Sequence, residues 1–272
     1  MKPTSTLGAV ALGRAAALWF FVAAFGQLIF VAYMAGFYGP TLASGDVVQW
    51  TRNASLIDAY KPGDALGNLG FISHIGLAFL ITSLGIAQLV PALRKHAPRV
   101  HRWCGRVFVI AALLAAIGGL ALVWGRGTQT GLSSAIAISL NGVLIIGFAG
   151  LAWRAARARN FVSHQRWAFR FWLVVSGVWF LRVGMAAFGM IALGVLGMKQ
   201  PPIALAFDIW SFGSYLAPLA IYGVYRRVKA KGGAGVRVGM CAVLAIITLL
   251  MAGGVAGMTV GQWLPLMAAS PL

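Results

Sequence analysis

Seven apolar stretches, each about as long as a bilayer is thick, leave this chain almost no way to fold in water. They fall at roughly 15–38, 69–93, 102–125, 132–154, 167–192, 203–225 and 238–262. A helix of about 20 apolar residues crosses a hydrocarbon layer roughly 30 Å thick. Inside lipid no water reaches the backbone N–H and C=O groups, so a crossing segment must satisfy them itself, and a helix does. The expectation is an all-α, polytopic membrane helical bundle with about seven transmembrane helices. It reads as a single membrane domain over residues 1–272, with core spans at 69–192 and flanking spans at 15–38, 203–225 and 238–262. The first run is too long for a signal-peptide core and has no convincing cleavage site behind it, so it is read as a retained helix.

Charge gives the orientation. The chain has twenty-two Lys and Arg against four acids, a balance that on a soluble fold would suggest nucleic acid. Here the cations collect in the breaks between apolar runs, so no nucleic-acid partner is expected. One set of alternate breaks holds Lys2 and Arg14, the clusters at 94–106 and 154–170, and the cluster at 226–237, seventeen cations in all. The other set holds only Arg52, Lys61, Arg126 and Lys199. Positive residues favour the cytoplasmic side, so the N-terminus is expected inside and the C-terminus outside, in a bacterial cytoplasmic (inner) membrane. The implied partners are the bilayer and its anionic lipid headgroups. Two cysteines, Cys104 and Cys241, have no metal or disulfide spacing.

One pattern occurs twice. Arg102-Trp103-Cys104-Gly105-Arg106 follows His101, and Arg166-Trp167-Ala168-Phe169-Arg170 follows His164, 64 residues on from Arg to Arg. Each copy stands where a long apolar run begins. Arginines spaced i, i+4 share a helix face, and Trp sits at the depth of an aromatic belt. A helix N-terminus carries partial positive charge, so cations gathered there call for an anion. The excess of positive charge expected on the inner side, balanced by anionic headgroups, accounts for their sign and place. It does not account for the repeated spacing or for the two histidines.

Those histidines suggest chemistry. Two imidazoles at similar depth on facing helices are what a bis-histidine haem b needs, with His101 and His164 as the metal ligands. Small residues one turn on, Gly105 and Ala168, would leave room for a flat ring. Arg102, Arg106, Arg166 and Arg170 could pair with propionates as bidentate donors. A quinone or an anionic lipid-like substrate would use the same arginines without iron.

Further polar residues stand inside the spans. His74 lies about one turn into the second, and Arg182 sits past the middle of the fifth, where a cation costs at least ~2.5 kcal/mol. Asp208 is the acid nearest that depth, so His74, Arg182 and Asp208 are expected to form an outward polar pocket, or Arg182 and Asp208 a structural pair. Gln27, Gln88 and Asn141 are expected to bond across to neighbouring helices. His96 reads as solvent-facing. The longest break, 39–68, carries Trp50 and Tyr60 and is expected to lie along the membrane surface. Its Asn53-Ala54-Ser55 matches a glycosylation acceptor, a motif short enough to arise by chance.

The order of these residues resembles a bacterial predicted membrane protein family, domain-of-unknown-function family 2306. The resemblance runs from Ser73-His74 through Gln88, Arg94 and Pro98-x-x-His101-Arg102-x-x-Gly105-Arg106. It continues with His164-x-Arg166-Trp167-x-x-Arg170 and Leu181-Arg182, covering about residues 70 to 190. Gln165 and Ala168 stand where the family typically has Arg and Met. The resemblance implies a shared polytopic core with His74, His101, His164 and Arg182 as its signature, and it implies no activity.

Three function classes remain: a redox or cofactor-binding protein, a carrier or lipid-handling protein, and a ligand-free structural subunit. Nucleotide and hydrolase chemistry are disfavoured, since the chain has no Glu, no phosphate-binding loop and no HExxH or GxSxG. A retinal protein is disfavoured by the expected cytoplasmic N-terminus and a last span without lysine. In reporter fusions, alkaline phosphatase joined after Ser270 should be active and the same enzyme joined after Arg159 inactive. The reverse pattern would invert the orientation.

Overall fold

The computed structural model describes residues 4–53, 59–127 and 131–270, with side chains from Leu7 onward. Among the described residues the chain is helical and has no strand. The helices are α1 (Thr4–Ala43), α2 (Ala65–Leu89), α3 (Pro91–His96), α4 (Pro98–Arg126), α5 (Gly131–Arg157), α6 (Phe161–Val175), α7 (Gly177–Gly189), α8 (Ile203–Lys231), α9 (Ala234–Met258) and α10 (Leu264–Ala268). Wider π-type turns extend α7 over Met190–Val195 and join α9 to α10 over Thr259–Trp263. Seven segments among the described residues are long and apolar enough to cross a membrane. They match the seven expected spans, with one change. The fifth run is not one helix: it bends at Ser176, and the crossing segment is Gly177–Val195. Ser176 sits at φ −78°, ψ 0°, and the glycine after it is a poor helix former.

The chain divides into two compact units. One comprises residues 1–26 and 179–261, the other residues 27–178 and 262–272. In the first, Leu12 of α1, Val228 of α8, and Met240 and Leu244 of α9 form a buried core. Glycine lets its helices approach closely. A Cβ on Gly254 of α9 would collide with the Val183 carbonyl of α7, and one on Gly26 of α1 would lie 2.7 Å from the Trp179 ring. Small residues at such crossings are how helices pack in lipid, where no hydrophobic force drives them together.

The second unit is built around α2, α4, α5 and α6. Phe108 and Ala112 of α4, Ala149 of α5 and Phe171 of α6 are its buried centre, with Ile81 and Leu84 of α2 packed against them. The Phe108 and Phe171 rings meet at 5.0 Å between centroids. The loop after α1 departs from expectation. Trp50 does not lie along a surface but is 2% exposed. Its Nε1 donates to Thr41 Oγ1 at 2.9 Å, and its ring packs on Tyr38 and Phe71. An indole whose N–H finds a partner can be buried whole. Asn53 is buried there too, its Nδ2 donating to Tyr38 Oη at 2.6 Å; the rest of the glycosylation motif, Ala54 and Ser55, lies outside the described residues.

Each end of the four-helix group has its own fastening. At the end where α2 begins, Asp64 caps the helix, with Oδ1 accepting from Gly67 N at 2.9 Å. Its Oδ2 meets Arg126, the last residue of α4, at 2.8 Å. Arg126 Nη2 also donates to Asn68 Oδ1 at 2.6 Å. A carboxylate at a helix N-terminus and a guanidinium at a C-terminus each favour the helix dipole, so one pair stabilises two helix ends. The hydrogen bond from Gly67 N, and then Arg126, hold the Asp64 carboxyl below its usual range. Its contribution is therefore present at neutral pH and is lost as the solution is acidified below that range.

On the outer face of α4, Trp103 and Trp124 are 64% and 62% exposed. They stand 21 residues apart, roughly 31 Å at the helical rise. That is the thickness of a hydrocarbon layer with an aromatic residue at each boundary. Gly67 of α2 has no room for a side chain, since a Cβ would collide with both Asp64 and Arg126, whereas Gly76 on the same helix faces open space. Gly67→Ala should therefore lower the melting temperature of the detergent-purified protein. Gly76→Ala should leave it unchanged or raise stability by about 0.5 kcal/mol.

Candidate functional site

His101 and His164 lie in the same unit, each in the first turn of its helix, at the end of the four-helix group opposite Asp64. Their placement follows from a repeat that runs beneath the Arg-Trp pattern. His101, Gly105, Phe108 and Ala112 recur as His164, Ala168, Phe171 and Val175, each 63 residues on. The spacing i, i+4, i+7, i+11 draws one stripe down a helix, and the lower members of both stripes lie in the buried core. The Arg-Trp-x-x-Arg pattern repeats at 64 instead. The two patterns differ by one residue, so they part by about 100° around the helix from one copy to the other.

That separation is visible in the side chains. Arg102, Arg106 and Arg166 are exposed, Arg170 is half-buried, and both histidines are half-buried. Arg106 lies over the Trp103 ring, Cζ to centroid 4.9 Å, and Arg170 over Trp167 at 4.9 Å. The repeated spacing thus has a local cause: Trp and the Arg three residues on are neighbours on the helix surface, and the guanidinium stacks on the ring. The copies then diverge. Trp103 faces outward, whereas Trp167 is half-buried and stacks on Phe148 of α5 at 5.7 Å.

His164 Nδ1 is 3.0 Å from the Ala152 carbonyl of α5. A carbonyl only accepts, so Nδ1 carries the proton and Nε2 of the neutral ring keeps its lone pair. His101 Nδ1 is buried and has no hydrogen-bond partner among the described residues. Gln88, at the end of α2, donates from Nε2 to the His101 carbonyl at 3.1 Å. Its Oε1 would lie 2.9 Å from a Cβ on Gly105. The Gln88 side chain thus occupies the space beside Gly105. Among the described residues no cluster of three or more His, Cys, Asp or Glu could hold a metal ion.

The remaining expected residues divide between the units. His74, on α2, is half-buried, its Cε1 3.3 Å from where a Cβ on Gly119 of α4 would sit. Arg182 and Asp208 belong to the other unit and are both half-buried. Trp210 Nε1 donates to the Phe180 carbonyl at 3.1 Å, which ties the turn of α8 carrying Asp208 to the turn of α7 carrying Arg182. Gln27 bonds across helices as expected, donating from Nε2 to Ser176 Oγ at 2.9 Å. Asn141 is buried with Oδ1 unpartnered among the described residues. His96 is exposed.

Residues 71–221 match the model of a family described as a predicted membrane protein, DUF2306. The chain belongs to this family. No curated protein and no solved structure matches the chain. The matched region begins within α2 and ends within α8, beyond the end near residue 190 expected from the sequence motifs. The family's polytopic core and the helices found here agree that this is an integral membrane protein. Within that core, Phe171 is 2% exposed, and Phe171→Ala should destabilise the detergent-purified protein by about 3 kcal/mol. Trp103→Ala, on the outer face, should cost less than about 0.5 kcal/mol.

Proposed function

We propose that this family member is a membrane-embedded, quinone-linked protein of the bacterial cytoplasmic membrane, with His101 and His164 as its binding site on the cytoplasmic side. The observation that carries the reading is the state of the two rings. His164 Nδ1 lies against the Ala152 carbonyl, which leaves Nε2 of the neutral ring its lone pair. His101 Nδ1 is buried without a hydrogen-bond partner among the described residues, at the same end of the four-helix group. A reduced quinone headgroup offers a hydroxyl proton, which the His164 Nε2 lone pair can accept, and once protonated that nitrogen can donate to the carbonyl of the oxidised form. The paired rings can hold a proton at the atom where such a ligand gives it up or takes it. The orientation is supported by the seventeen cations that share this side of the membrane.

Haem b is the other ring ligand the histidines suggest. It would require the Gln88 side chain to leave the notch at Gly105, whereas a hydrogen-bonded quinone carbonyl needs no ring-sized gap between the imidazoles. Arg170, half-buried beside α5, is the cation best placed to accompany the ligand.

The test is the lipid-soluble content and the visible spectrum of the detergent-purified chain. Quinone should co-purify with the wild type and be depleted severalfold in His101→Ala and His164→Ala, with both variants still folded. A Soret band lost in either variant would replace quinone with haem. Unchanged quinone content and a colourless protein would leave the histidines as helix ties alone and sink the proposal.

A further inference from the structure

We propose that the outer face of α4, at the end carrying the basic residues, is a binding site for one anionic phospholipid. Arg102 and Arg106 hold its phosphate beside Trp103, and an acyl chain lies along Val107, Ile110, Leu114 and Ile117. This site is independent of the histidine pair, which faces the bundle interior.

Arg106 sets the argument. It stands three residues deeper along α4 than Trp103, so its backbone lies on the hydrocarbon side of the aromatic boundary. Side chains on a helix tilt toward its N-terminus. The Arg106 side chain can therefore run back toward the interface, where its guanidinium rests 4.9 Å from the Trp103 centroid. This leaves a cation on an exposed face next to lipid, where its energy is raised unless an anion is at hand. Arg102, one turn away on the same side and also exposed, offers a second planar donor to the same phosphate.

The apolar part of the ligand is indicated directly below. Trp103, Val107, Ile110, Leu114 and Ile117 follow i, i+4, i+7, i+11, i+14 spacing, a single stripe down one helix face. Each is at least 40% exposed, and the stripe runs on to Trp124 at the other boundary. Two arginines at the top and an exposed apolar stripe below match a phospholipid and not a free phosphate. The second Arg-Trp stack lacks this arrangement, because Trp167 packs on Phe148.

The test uses the full chain in detergent, titrated with phosphatidylglycerol or phosphatidylcholine of the same acyl chains and read by native mass spectrometry. One phosphatidylglycerol should be retained at concentrations where phosphatidylcholine is not. Arg106→Gln should weaken it about fivefold, and Arg102→Gln with Arg106→Gln should weaken it further, by about one such step per charge. Arg106→Lys, which keeps the charge but loses the planar stack, should fall between. Arg166→Gln, which removes the same charge from α6, should leave this lipid bound, and millimolar glycerol phosphate should not displace it. Equal retention of the two lipids, an equal loss in Arg166→Gln, or displacement by glycerol phosphate would overturn the assignment.

Discussion

The packing of Phe108 against Phe171 is the contact on which the geometry of the basic end depends. In lipid, apolar side chains gain nothing by leaving solvent, so helices associate through close fit. Phe108 of α4 and Phe171 of α6 meet at 5.0 Å over Ala149 of α5, the helix against which both α4 and α6 pack. Seven residues toward each N-terminus, on the same helix face, stand His101 and His164. The core that holds the phenylalanines therefore also sets both histidines at the same end of the four-helix group.

The two ends of the four-helix group are fastened by different chemistry. Asp64 and Arg126 join the α2 and α4 termini through an ion pair reinforced by Asn68 and by the cap on Gly67. At the other end the ties are neutral hydrogen bonds, from Gln88 to the His101 carbonyl and from His164 to the Ala152 carbonyl. Charge-assisted bonds are about twice as strong as neutral ones. Local opening should therefore begin at the histidine end, the end where a ligand would have to enter.

Much of the fold could be read from sequence because lipid leaves the backbone so few choices. Apolar runs of the right length had to be helices, and seven were found. What the runs could not reveal was detail within them. The bend at Ser176 leaves no mark on hydropathy, since Ser176-Gly177 is a minor interruption of a long apolar segment. Trp50 and Tyr60 read as interfacial because a tryptophan in a polar loop usually is; the burial of Trp50 depends on a distant acceptor, Thr41. The repeat is most conspicuous in its arginines and tryptophans. The quieter register of 63, carried by His, a small residue and Phe, is the one that points inward. Counting from histidine to phenylalanine in each copy would have found it. The side chain of Gln88 reaching Gly105 is a tertiary contact, and no spacing rule announces it.

The interval between Trp103 and Trp124 also bears on where the protein can reside. Their exposed rings mark a slab of roughly 31 Å, and α2 is pinned to α4 at Arg126. In a thinner bilayer α4 would have to tilt to keep both rings at their boundaries, and α2, clamped to it, would be carried along. Membrane thickness is thereby converted into an angle shared by two helices.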